Sequence, residues 1–309
     1  MSLVHSTDPP ITLVTALADL LGQEGRAWQI LNGGRTNRVW RVTPGKFANR
    51  SDVAKGKEPQ FQAIVVKLYS QIGSTPLFPN DPKAEHAVLQ MLAPLGLSPR
   101  PIELLHGEFG TALVYDYLTG TTWGGDLAAL AKLINKVHEI PPPKGLRTIS
   151  SGSDSLLRQS VEILRACKNA PAELLNQVDV LASQGRVPPL AINKLIHADP
   201  VGTNVVETRN GPILIDWQCP ALGDPCEDIA IILSPYMQKM YLGKEFSFQE
   251  RKTFLAAYPE PIISNRYEML SGFFDLRMAA YAQWCIENGR GGNQADVLIE
   301  LKNSEIAEI

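Results

Sequence analysis

Residues 195–230 read LIHADPVGTNVVETRNGPILIDWQCPALGDPCEDIA, a stretch in which polar residues recur between short apolar runs. One residue separates His197 from Asp199, and Asn204 follows the aspartate by five positions. A turn then leads to the apolar run Pro-Ile-Leu-Ile, which ends in Asp216. Asp and Asn are common in loops. All four positions in this order, with the last closing an apolar strand, nevertheless favour a chemical site over an ordinary loop.

The spacing of these residues suits phosphoryl transfer. In that reaction a carboxylate must lie near the proton of the attacking hydroxyl group, and Mg²⁺ on the phosphates of ATP needs oxygen ligands. The catalytic loop of protein kinases has the spacing H-x-D-x-x-x-x-N, followed by a second aspartate for the metal. Residues 197–204, HADPVGTN, have this spacing, and Asp216 follows after a gap that fits a hairpin. The stretch therefore predicts a phosphotransfer site.

The composition indicates a globular protein with a sizeable core. The chain has 309 residues, of which 44% are hydrophobic and 20% charged, and this length suits one large domain or two of ordinary size. Because the net charge is −3, there is no basic footprint for nucleic acid. No apolar run approaches the length of a transmembrane helix. We therefore expect neither nucleic acid nor a membrane as a partner.

The four cysteines predict a reducing compartment. They lack the C-x-x-C and metal-ligand spacings, so they read as reduced thiols. The opening residues, MSLVHSTDPP, show no basic segment followed by an apolar one, as a signal peptide would. The expectation is a cytoplasmic location.

A glycine turn between two predicted strands is the first candidate for nucleotide binding. The strands cover 27–31 and 38–42, and the turn between them reads Asn-Gly-Gly. A glycine-rich hairpin tip lets backbone N–H groups approach phosphates, and neighbouring polar side chains can add hydrogen bonds. By itself such a turn indicates only a hairpin. The candidate residues here are Gly33, Gly34, Thr36 and Asn37.

A lysine near the end of the next predicted strand needs a charged partner. Lys67 follows three branched apolar residues, and a buried ammonium group is costly unless it is paired. Glu85, in the predicted helix 82–92, is a candidate partner. A pair of this kind orients ATP in kinases. The alternatives are a lysine on an exposed edge strand and a solvent-facing glutamate.

Two further strands, IELLHGE and TALVYDYL, precede a change to helical periodicity after Gly120. The second strand ends near Tyr115 and Tyr117, where backbone groups could pair with the edge of adenine, although an ordinary strand exit has the same pattern. His138, at the end of the predicted helix 127–138, is expected to be a cap or a packing residue. The predicted helices of this half cover 127–138, 155–166, 171–183, 229–240, 248–257 and 268–288.

The order of these elements predicts an α+β fold with two lobes. Residues 1–116 would form a nucleotide-binding N-terminal lobe, with an antiparallel sheet and one helix. Residues 117–309 would form a larger, mainly helical C-terminal lobe that carries the catalytic and acceptor-binding residues. A two-lobed layout of this kind is expected to place the ligand between its halves.

The sequence resembles the aminoglycoside phosphotransferase and choline kinase family, which has the protein-kinase-like fold. One departure from the family pattern lies in the catalytic loop, which reads HGDLHPGN in many relatives. Here Pro200 and Val201 replace the Leu and His, so the spacing survives but a second imidazole near the acceptor is absent. The resemblance is carried by GGRTNRVWRV at 33–42, VVKLY at 65–69, Glu85, HADPVGTN at 197–204, LIDWQ at 214–218 and GDPCEDIA at 223–230.

The resemblance implies that ATP and Mg²⁺ are the cofactors and that phosphate passes to a hydroxyl group of a small molecule. Asp199 would be the catalytic base, a role that needs positioning more than a raised pKa. His197 and Asp228 would shape the catalytic loop. Asn204 and Asp216 would bind Mg²⁺. Lys67 would contact the α- and β-phosphates, and Glu85 would hold Lys67 in place.

The acceptor is less narrowly defined than the reaction. A protein substrate is disfavoured, because only eleven residues lie between Asp216 and Asp228 and no A-P-E motif follows them. An amino alcohol such as choline, ethanolamine or thiamine is slightly preferred, and it would need aromatic faces. An aminoglycoside would need carboxylates instead. The aromatic candidates are Trp217, Tyr281 and Trp284, and the acidic candidates are Glu227, Asp275 and Glu287.

A non-catalytic nucleotide-binding protein of the same fold is the remaining alternative. The sequence retains the lysine, both aspartates and the asparagine of the predicted site, and loss of catalysis usually removes one of them first. The complete set therefore favours an enzyme.

Overall fold

The chain forms two compact units. The computed structural model describes residues 7–22, 26–31, 36–43 and 63–306. The first unit comprises the described residues up to Thr119 except Pro76–Phe78. The second unit comprises Pro76–Phe78 and the described residues from Gly120 onward.

The first unit combines strands with two helices in its described ranges. Its elements are α1 (Ile11–Leu21), β1 (Ala27–Ile30), β2 (Arg38–Thr43), β3 (Ile64–Leu68), α2 (Pro82–Leu92), a 3₁₀ turn (Ala93–Leu95), β4 (Pro101–Gly107) and β5 (Gly110–Asp116).

The strands of the first unit form a five-stranded antiparallel sheet in the order β1-β2-β3-β5-β4. β3 is central, and all of its residues are buried. Side chains alternate between the faces of a strand, so Val66 packs with Leu13 and Leu17 of α1 in one apolar cluster. Lys67 points to the opposite face. On that side it meets Glu85 of α2, at 2.6 Å.

Helix α2 begins where its sequence predicts. Asp81 is its N-cap, and the carboxylate accepts hydrogen bonds from the N–H groups of Lys83 and Ala84, each at 3.0 Å. Pro82 follows at the first helical position, where its missing N–H costs nothing. This capping fixes the start of the helix and therefore the position of Glu85 in its first turn.

The second unit is mainly helical in the part of the chain that the structure describes. Its elements are β6 (Thr121–Thr122), α3 (Leu127–His138), α4 (Ser153–Arg165), α5 (Ala172–Ala182), β7 (Lys194–Ile196), a 3₁₀ turn (Gly202–Asn204), β8 (Val205–Thr208), β9 (Gly211–Leu214), β10 (Ala221–Gly223), α6 (Cys226–Leu233), α7 (Pro235–Leu242), α8 (Phe248–Ala257), α9 (Pro261–Glu287) and α10 (Gln294–Ile306).

Two small sheets position the catalytic stretch. β8 and β9 form a hairpin that pairs with β6, and the N–H of Ile215 donates to the carbonyl of Asn204 at 2.9 Å. This pairing brings Asn204 beside the residue that precedes Asp216. β10 then returns antiparallel to β7, so the chain after Asp216 runs back along the strand that leads into His197.

Two of the predicted helices differ from the observed ones by more than two residues at an end. The single helix predicted over 229–240 is wrong, because α6 ends at Leu233 and α7 begins at Pro235. Ser234 is the N-cap of α7 and Pro235 has no N–H to donate, so the Ser-Pro pair starts a new helix. The predicted helix 268–288 begins earlier, at Pro261, and is 27 residues long.

An antiparallel-sheet unit followed by a mainly helical unit confirms the predicted α+β class. Helix α9 packs against α4 and α10. It buries Phe273, Phe274 and Tyr281 as core residues. No helix in the described ranges is both long and apolar enough to cross a membrane.

Candidate active site

A buried carboxylate anchors the catalytic loop. Asp228, in the first turn of α6, is fully buried. One of its oxygens accepts the backbone N–H of His197 at 2.9 Å, and the other accepts that of Ala198 at 2.7 Å. Hydrogen bonds to an ionised acceptor are about twice as strong as neutral ones. The backbone that enters Asp199 is therefore fixed from outside the loop.

A histidine that the sequence assigns to capping or packing completes this anchor. His138, fully buried at the end of α3, places Nε2 at 3.0 Å from Asp228 Oδ2 and Nδ1 at 2.7 Å from the hydroxyl of Tyr258. Burial, reinforced by nearby acidic groups, raises the pKa of the Tyr258 phenol. Because the carboxylate can only accept, the ring donates to it from Nε2, and the neutral phenol can donate to Nδ1. Sequence gave no signal for this contact, because ninety residues separate His138 from Asp228.

His197 orients the loop from inside. Its Nε2 lies 3.0 Å from the carbonyl oxygen of Ile215, which can only accept, and its Nδ1 accepts the N–H of Asp199 at 3.2 Å. These two bonds require a neutral ring with the proton on Nε2. The ring also packs against Trp217, with centroids 4.3 Å apart. His197 therefore links the aspartate loop to the segment that contains Asp216.

In the described ranges, the two residues other than glycine that have positive φ are the residue before the predicted base Asp199 and the predicted metal ligand Asp216 itself. Ala198 has φ 63° and Asp216 has φ 62°. The left-handed region costs an ordinary residue roughly 1–2 kcal/mol. Such strain concentrates at functional sites, where surrounding bonds maintain it. At Ala198 the maintaining contact is the hydrogen bond to Asp228.

The predicted metal ligands fit a magnesium ion. The Asn204 amide donates from Nδ2 to the carbonyl oxygen of Asp199 at 2.9 Å, so its own oxygen points the other way. An amide oxygen and the Asp216 carboxylate are hard donors that suit Mg²⁺, which usually takes one or two protein ligands plus phosphate oxygens. Among the described residues, no group of three or more His, Cys, Asp and Glu side chains could hold a metal ion.

The segment between the two downstream aspartates is buried. Trp217–Ala221 and Gly223–Ala230 have little exposed surface. The Asp224 carboxylate accepts from Arg266 Nε at 2.7 Å and from the N–H of Cys226 at 3.1 Å. The segment is therefore held along its length by pairing with β7 and by these contacts.

The first unit contains the predicted lysine–glutamate pair. Lys67 Nζ lies 2.6 Å from Glu85 Oε2, and both side chains are at most 2% exposed. The Tyr69 hydroxyl donates to the same carboxylate oxygen. The Lys67 ammonium also lies 5.2 Å from the centre of the Tyr69 ring. A buried glutamate with two donors holds the lysine in one place; contact of Lys67 with phosphate stays a prediction.

The residues around the glycine turn lie partly outside the described ranges. Gly33 and Gly34 belong to the undescribed residues 32–35. Asn37 forms a reciprocal amide pair with Asn80, at 2.9 and 2.8 Å, and accepts the N–H of Ser70 at 3.0 Å. Its amide thus joins the residue before β2 to the segment after β3.

A second contact joins the same two segments. Thr36 lies so close to Gly73 that a Cβ added to that glycine would be 2.4 Å from the threonine methyl. The structure therefore gives Thr36 and Asn37 packing contacts, and their contact with a nucleotide stays a prediction.

The two tyrosines proposed for adenine lie where β5 ends. Tyr115 pairs with Val65 across the sheet. The N–H of Tyr117 donates to the carbonyl of Ala63 at 3.0 Å, and its ring packs on the Arg41 guanidinium at 4.4 Å. While this bond exists, the Tyr117 N–H cannot also serve adenine. The edge of an adenine ring would therefore have to form hydrogen bonds with backbone carbonyl groups here, or with the backbone after Tyr117.

The aromatic candidates for the acceptor lie in packed surroundings. Trp217 is fully buried, and its indole N–H donates to the carbonyl of Leu214 at 3.2 Å. Tyr281 and Trp284 stack with centroids 6.1 Å apart. Trp217 therefore has a structural role in the loop, and its face is covered by His197.

The acidic candidates have separate partners. Glu227 is buried and bonds Arg277 at 2.5 Å. Glu287 accepts the backbone N–H groups of Lys168 and Asn169, which lowers its pKa. Asp275 is buried on α9. Of these three acids, Glu227 lines a cavity beside the catalytic loop.

Comparison of the chain with known proteins gives a consistent result. The model of a family described as "Phosphotransferase enzyme family" matches residues 27–269, more than half of the chain. No protein of the curated set matches the chain in sequence.

Solved structures share the fold at low sequence identity. A choline/ethanolamine kinase family protein from Mesorhizobium loti has a TM-score of 0.65 and 16% identity, over 96% of this chain and 93% of that chain. Choline kinase LicA from Streptococcus pneumoniae has a TM-score of 0.60 and 17% identity, over 96% and 97%. Aminoglycoside phosphotransferase APH(3'')-Id from Streptomyces rimosus has a TM-score of 0.53 and 16% identity, over 86% and 97%.

Proposed function

Because the chain belongs to the phosphotransferase enzyme family, we propose that it is a Mg²⁺-dependent kinase that transfers the γ-phosphate of ATP to a hydroxyl group of a small molecule. The observation that carries this proposal is the anchored loop before Asp199. Asp228 fixes two consecutive backbone N–H groups there, and Asn204 bonds the carbonyl oxygen of Asp199. Positioning of this kind contributes most of the catalysis in phosphoryl transfer.

In the proposed reaction Asp199 orients the acceptor hydroxyl. The hydroxyl oxygen forms a bond to the γ-phosphorus, while the bond from that phosphorus to the β,γ-bridging oxygen breaks and ADP leaves. The hydroxyl proton passes to the Asp199 carboxylate late in the step and then to solvent. Because the transition state is loose, the aspartate needs correct placement more than high basicity.

The remaining residues of the proposed site handle charge. Lys67, held by Glu85 and Tyr69, would contact the α- and β-phosphates. Asn204 and Asp216 would hold Mg²⁺, which supplies neutralisation of the phosphate charge when it is bound. Asn204 adds an oxygen without adding negative charge beside the phosphates. Backbone groups near Tyr115 and Tyr117 would form hydrogen bonds with the edge of adenine. The backbone N–H groups of Gly33 and Gly34 would contact the phosphates.

For the acceptor, we propose an amino alcohol of the choline, ethanolamine or thiamine type. Choline kinases and a choline/ethanolamine kinase family protein are among the similar structures, as is an aminoglycoside phosphotransferase, so an aminoglycoside is the second candidate. The four cysteines are free thiols, which favours a reducing compartment such as the cytoplasm.

An acceptor screen tests the reaction. ATP consumption would be measured with Mg²⁺ and a panel of choline, ethanolamine, thiamine, homoserine, amino sugars and aminoglycosides, with Asp199→Ala as the blank. Acceleration by one acceptor in the wild type alone is the expected result. Equal turnover by Asp199→Ala would contradict the role of Asp199 as the base.

Calorimetry tests the nucleotide site separately. Asp216→Ala should abolish Mg²⁺-dependent ATP binding, whereas Asp199→Ala should leave the affinity for ATP similar to that of the wild type. Unchanged binding in Asp216→Ala would contradict its role as a metal ligand. Wild-type protein that binds no Mg·ATP would overturn the proposed function, and ATP binding without any turnover would indicate a non-catalytic nucleotide-binding protein.

A further inference from the structure

A cavity of about 60 Å³ lies in the second unit beside the catalytic loop. Ala198, the residue directly before Asp199, lines it. Consecutive Cα atoms are about 3.8 Å apart, so the wall of the cavity lies one residue from the proposed base. The cavity is therefore in the right place to seat the part of an acceptor that does not react.

The volume of the cavity limits what it can seat. One water-sized group needs about 10–15 Å³, so a cavity of about 60 Å³ has room for a small polar group of a few non-hydrogen atoms. The head group of an α-amino acid, which consists of one carboxylate, one α-carbon and one amino nitrogen, fits it.

The polar lining contains a buried arginine with hydrogen-bond donors to spare. Arg277, on α9, donates from Nη1 to Glu227 at 3.1 Å and to Gln159 at 2.8 Å, and from Nη2 to Glu227 at 2.5 Å. A guanidinium has five N–H donors, and these bonds engage three of them. Its buried Nε has no hydrogen-bond partner among the described residues. Two donors are therefore left for an acceptor oxygen from a ligand.

The chemistry of this arginine favours a carboxylate ligand. Guanidinium groups bind carboxylates through parallel N–H groups, which a hydroxyl or an amine cannot match. The Phe274 ring lies 5.1 Å from the Arg277 guanidinium carbon and limits its movement. Arg147, whose Nη2 donates to the carbonyl of Cys219 at 2.9 Å, brings a second guanidinium group to the lining.

Glu227 supplies the complementary charge. Its two oxygens each accept one bond from Arg277, and an ionised carboxylate can accept about four. The remaining capacity suits an ammonium group. An arginine and a glutamate side by side therefore present, in one small cavity, partners for both charges of an amino acid.

We infer that the acceptor is an amino alcohol that also carries a carboxylate, bound by Arg277 through its carboxylate and by Glu227 through its ammonium group. This inference rests on the proposed function and narrows the acceptor class from amino alcohols to hydroxy amino acids. The hydroxyl group would extend past Ala198 to Asp199.

Matched pairs of substrates test the inference without any mutation. L-serine differs from ethanolamine, and L-homoserine from 3-aminopropanol, only by the carboxylate. We expect kcat/KM to be about 10- to 100-fold higher for the amino acid of at least one pair, the usual effect of one charge-assisted hydrogen bond. Equal or higher kcat/KM for the decarboxylated members would overturn the inference.

A variant then assigns the effect to the cavity. Arg277→Lys keeps the positive charge opposite Glu227 but removes the parallel N–H donors of the guanidinium group. KM for the amino acid should therefore rise about 10- to 100-fold while kcat changes less. Arg186→Lys is the matched control, because Arg186 is 83% exposed and does not line the cavity. ATP binding by Arg277→Lys, measured by calorimetry, would show that the variant is folded. An unchanged KM in folded Arg277→Lys would overturn the assignment.

Titration of each amino acid into the wild-type protein separates the two proposals. If the wild-type protein neither bound ATP nor turned over any acceptor, the proposed function itself would be refuted. ATP consumption with choline or an aminoglycoside, together with no binding or turnover of either amino acid, would refute only the inference drawn from the cavity.

Discussion

Replacement of Asp228 by Asn tests the anchor of the catalytic loop. The carboxylate receives the N–H of Ala198 on Oδ1 at 2.7 Å, and the N–H of His197 and Nε2 of His138 on Oδ2 at 2.9 and 3.0 Å. An amide has only one oxygen. In either orientation its NH₂ group faces at least one backbone N–H, so two donors oppose each other in a fully buried place.

The expected loss of stability follows from the number of donors left without an acceptor. A buried donor without an acceptor costs about 1–3 kcal/mol, which corresponds to roughly 5- to 150-fold in the unfolding equilibrium constant. Because the two N–H groups directly precede Asp199, the loop should also shift. A displacement of about 1 Å at a catalytic group can lower the rate by about 100-fold. We therefore expect Asp228→Asn to lose both stability and turnover.

Urea unfolding followed by tryptophan fluorescence, and turnover with the acceptor identified in the screen, measure these two effects. Asp179→Asn is the control, because Asp179 is an exposed aspartate on α5 and its replacement should change stability by less than about 0.5 kcal/mol. If Asp228→Asn were as stable as Asp179→Asn and equally active, the loop would not depend on this carboxylate.

Three further predictions concern other parts of the structure. Lys67→Met should weaken ATP binding and, because it removes the cation beside the buried Glu85 carboxylate and leaves the Tyr69 hydroxyl as a neutral donor, lower the unfolding free energy by about 3–5 kcal/mol; wild-type stability in urea would argue against the pair. Ala198→Val should destabilise the protein more than Ala198→Gly, since φ is 63° at this position and only glycine adopts it without strain; equal melting temperatures would contradict this. Burial raises the pKa of Glu300 from 4.5 to about 7, so the folded state favours the protonated acid. Its stabilising contribution should be complete below pH 4.5 and lost as the pH rises through about 7, and Glu300→Gln should remove this part of the pH dependence of unfolding. An unaltered slope in Glu300→Gln would refute that explanation.

Local signals made much of the fold predictable from the sequence. The bounds of helix 127–138 match the structure, because Asp126 caps its start and three consecutive prolines follow it. The proximity of the predicted metal ligands Asn204 and Asp216 was also readable, since a hairpin with a short turn brings the ends of 204–216 together. By the same logic the break at Ser234-Pro235 carried a usable signal, a serine N-cap followed by proline.

Contacts between residues far apart in the chain were not predictable in the same way. Nothing near His138 indicates that it will meet Asp228, because the approach depends on how α3 packs against the elements around β7. The reciprocal amide pair of Asn37 and Asn80 spans 43 residues and has no local signature either. The sequence therefore predicted which residues are polar and where they stand along the chain, but their partners depend on packing.

The buried segment between Asp216 and Asp228 has a consequence for regulation. In signalling enzymes, phosphorylation of a loose loop can order it and turn the enzyme on. Here the corresponding stretch is already packed, with β10 paired to β7 and Asp224 bound to Arg266. No order–disorder transition is left at this place for a covalent modification to drive. For the kinase proposed above, we therefore expect activity that does not depend on ordering of this segment.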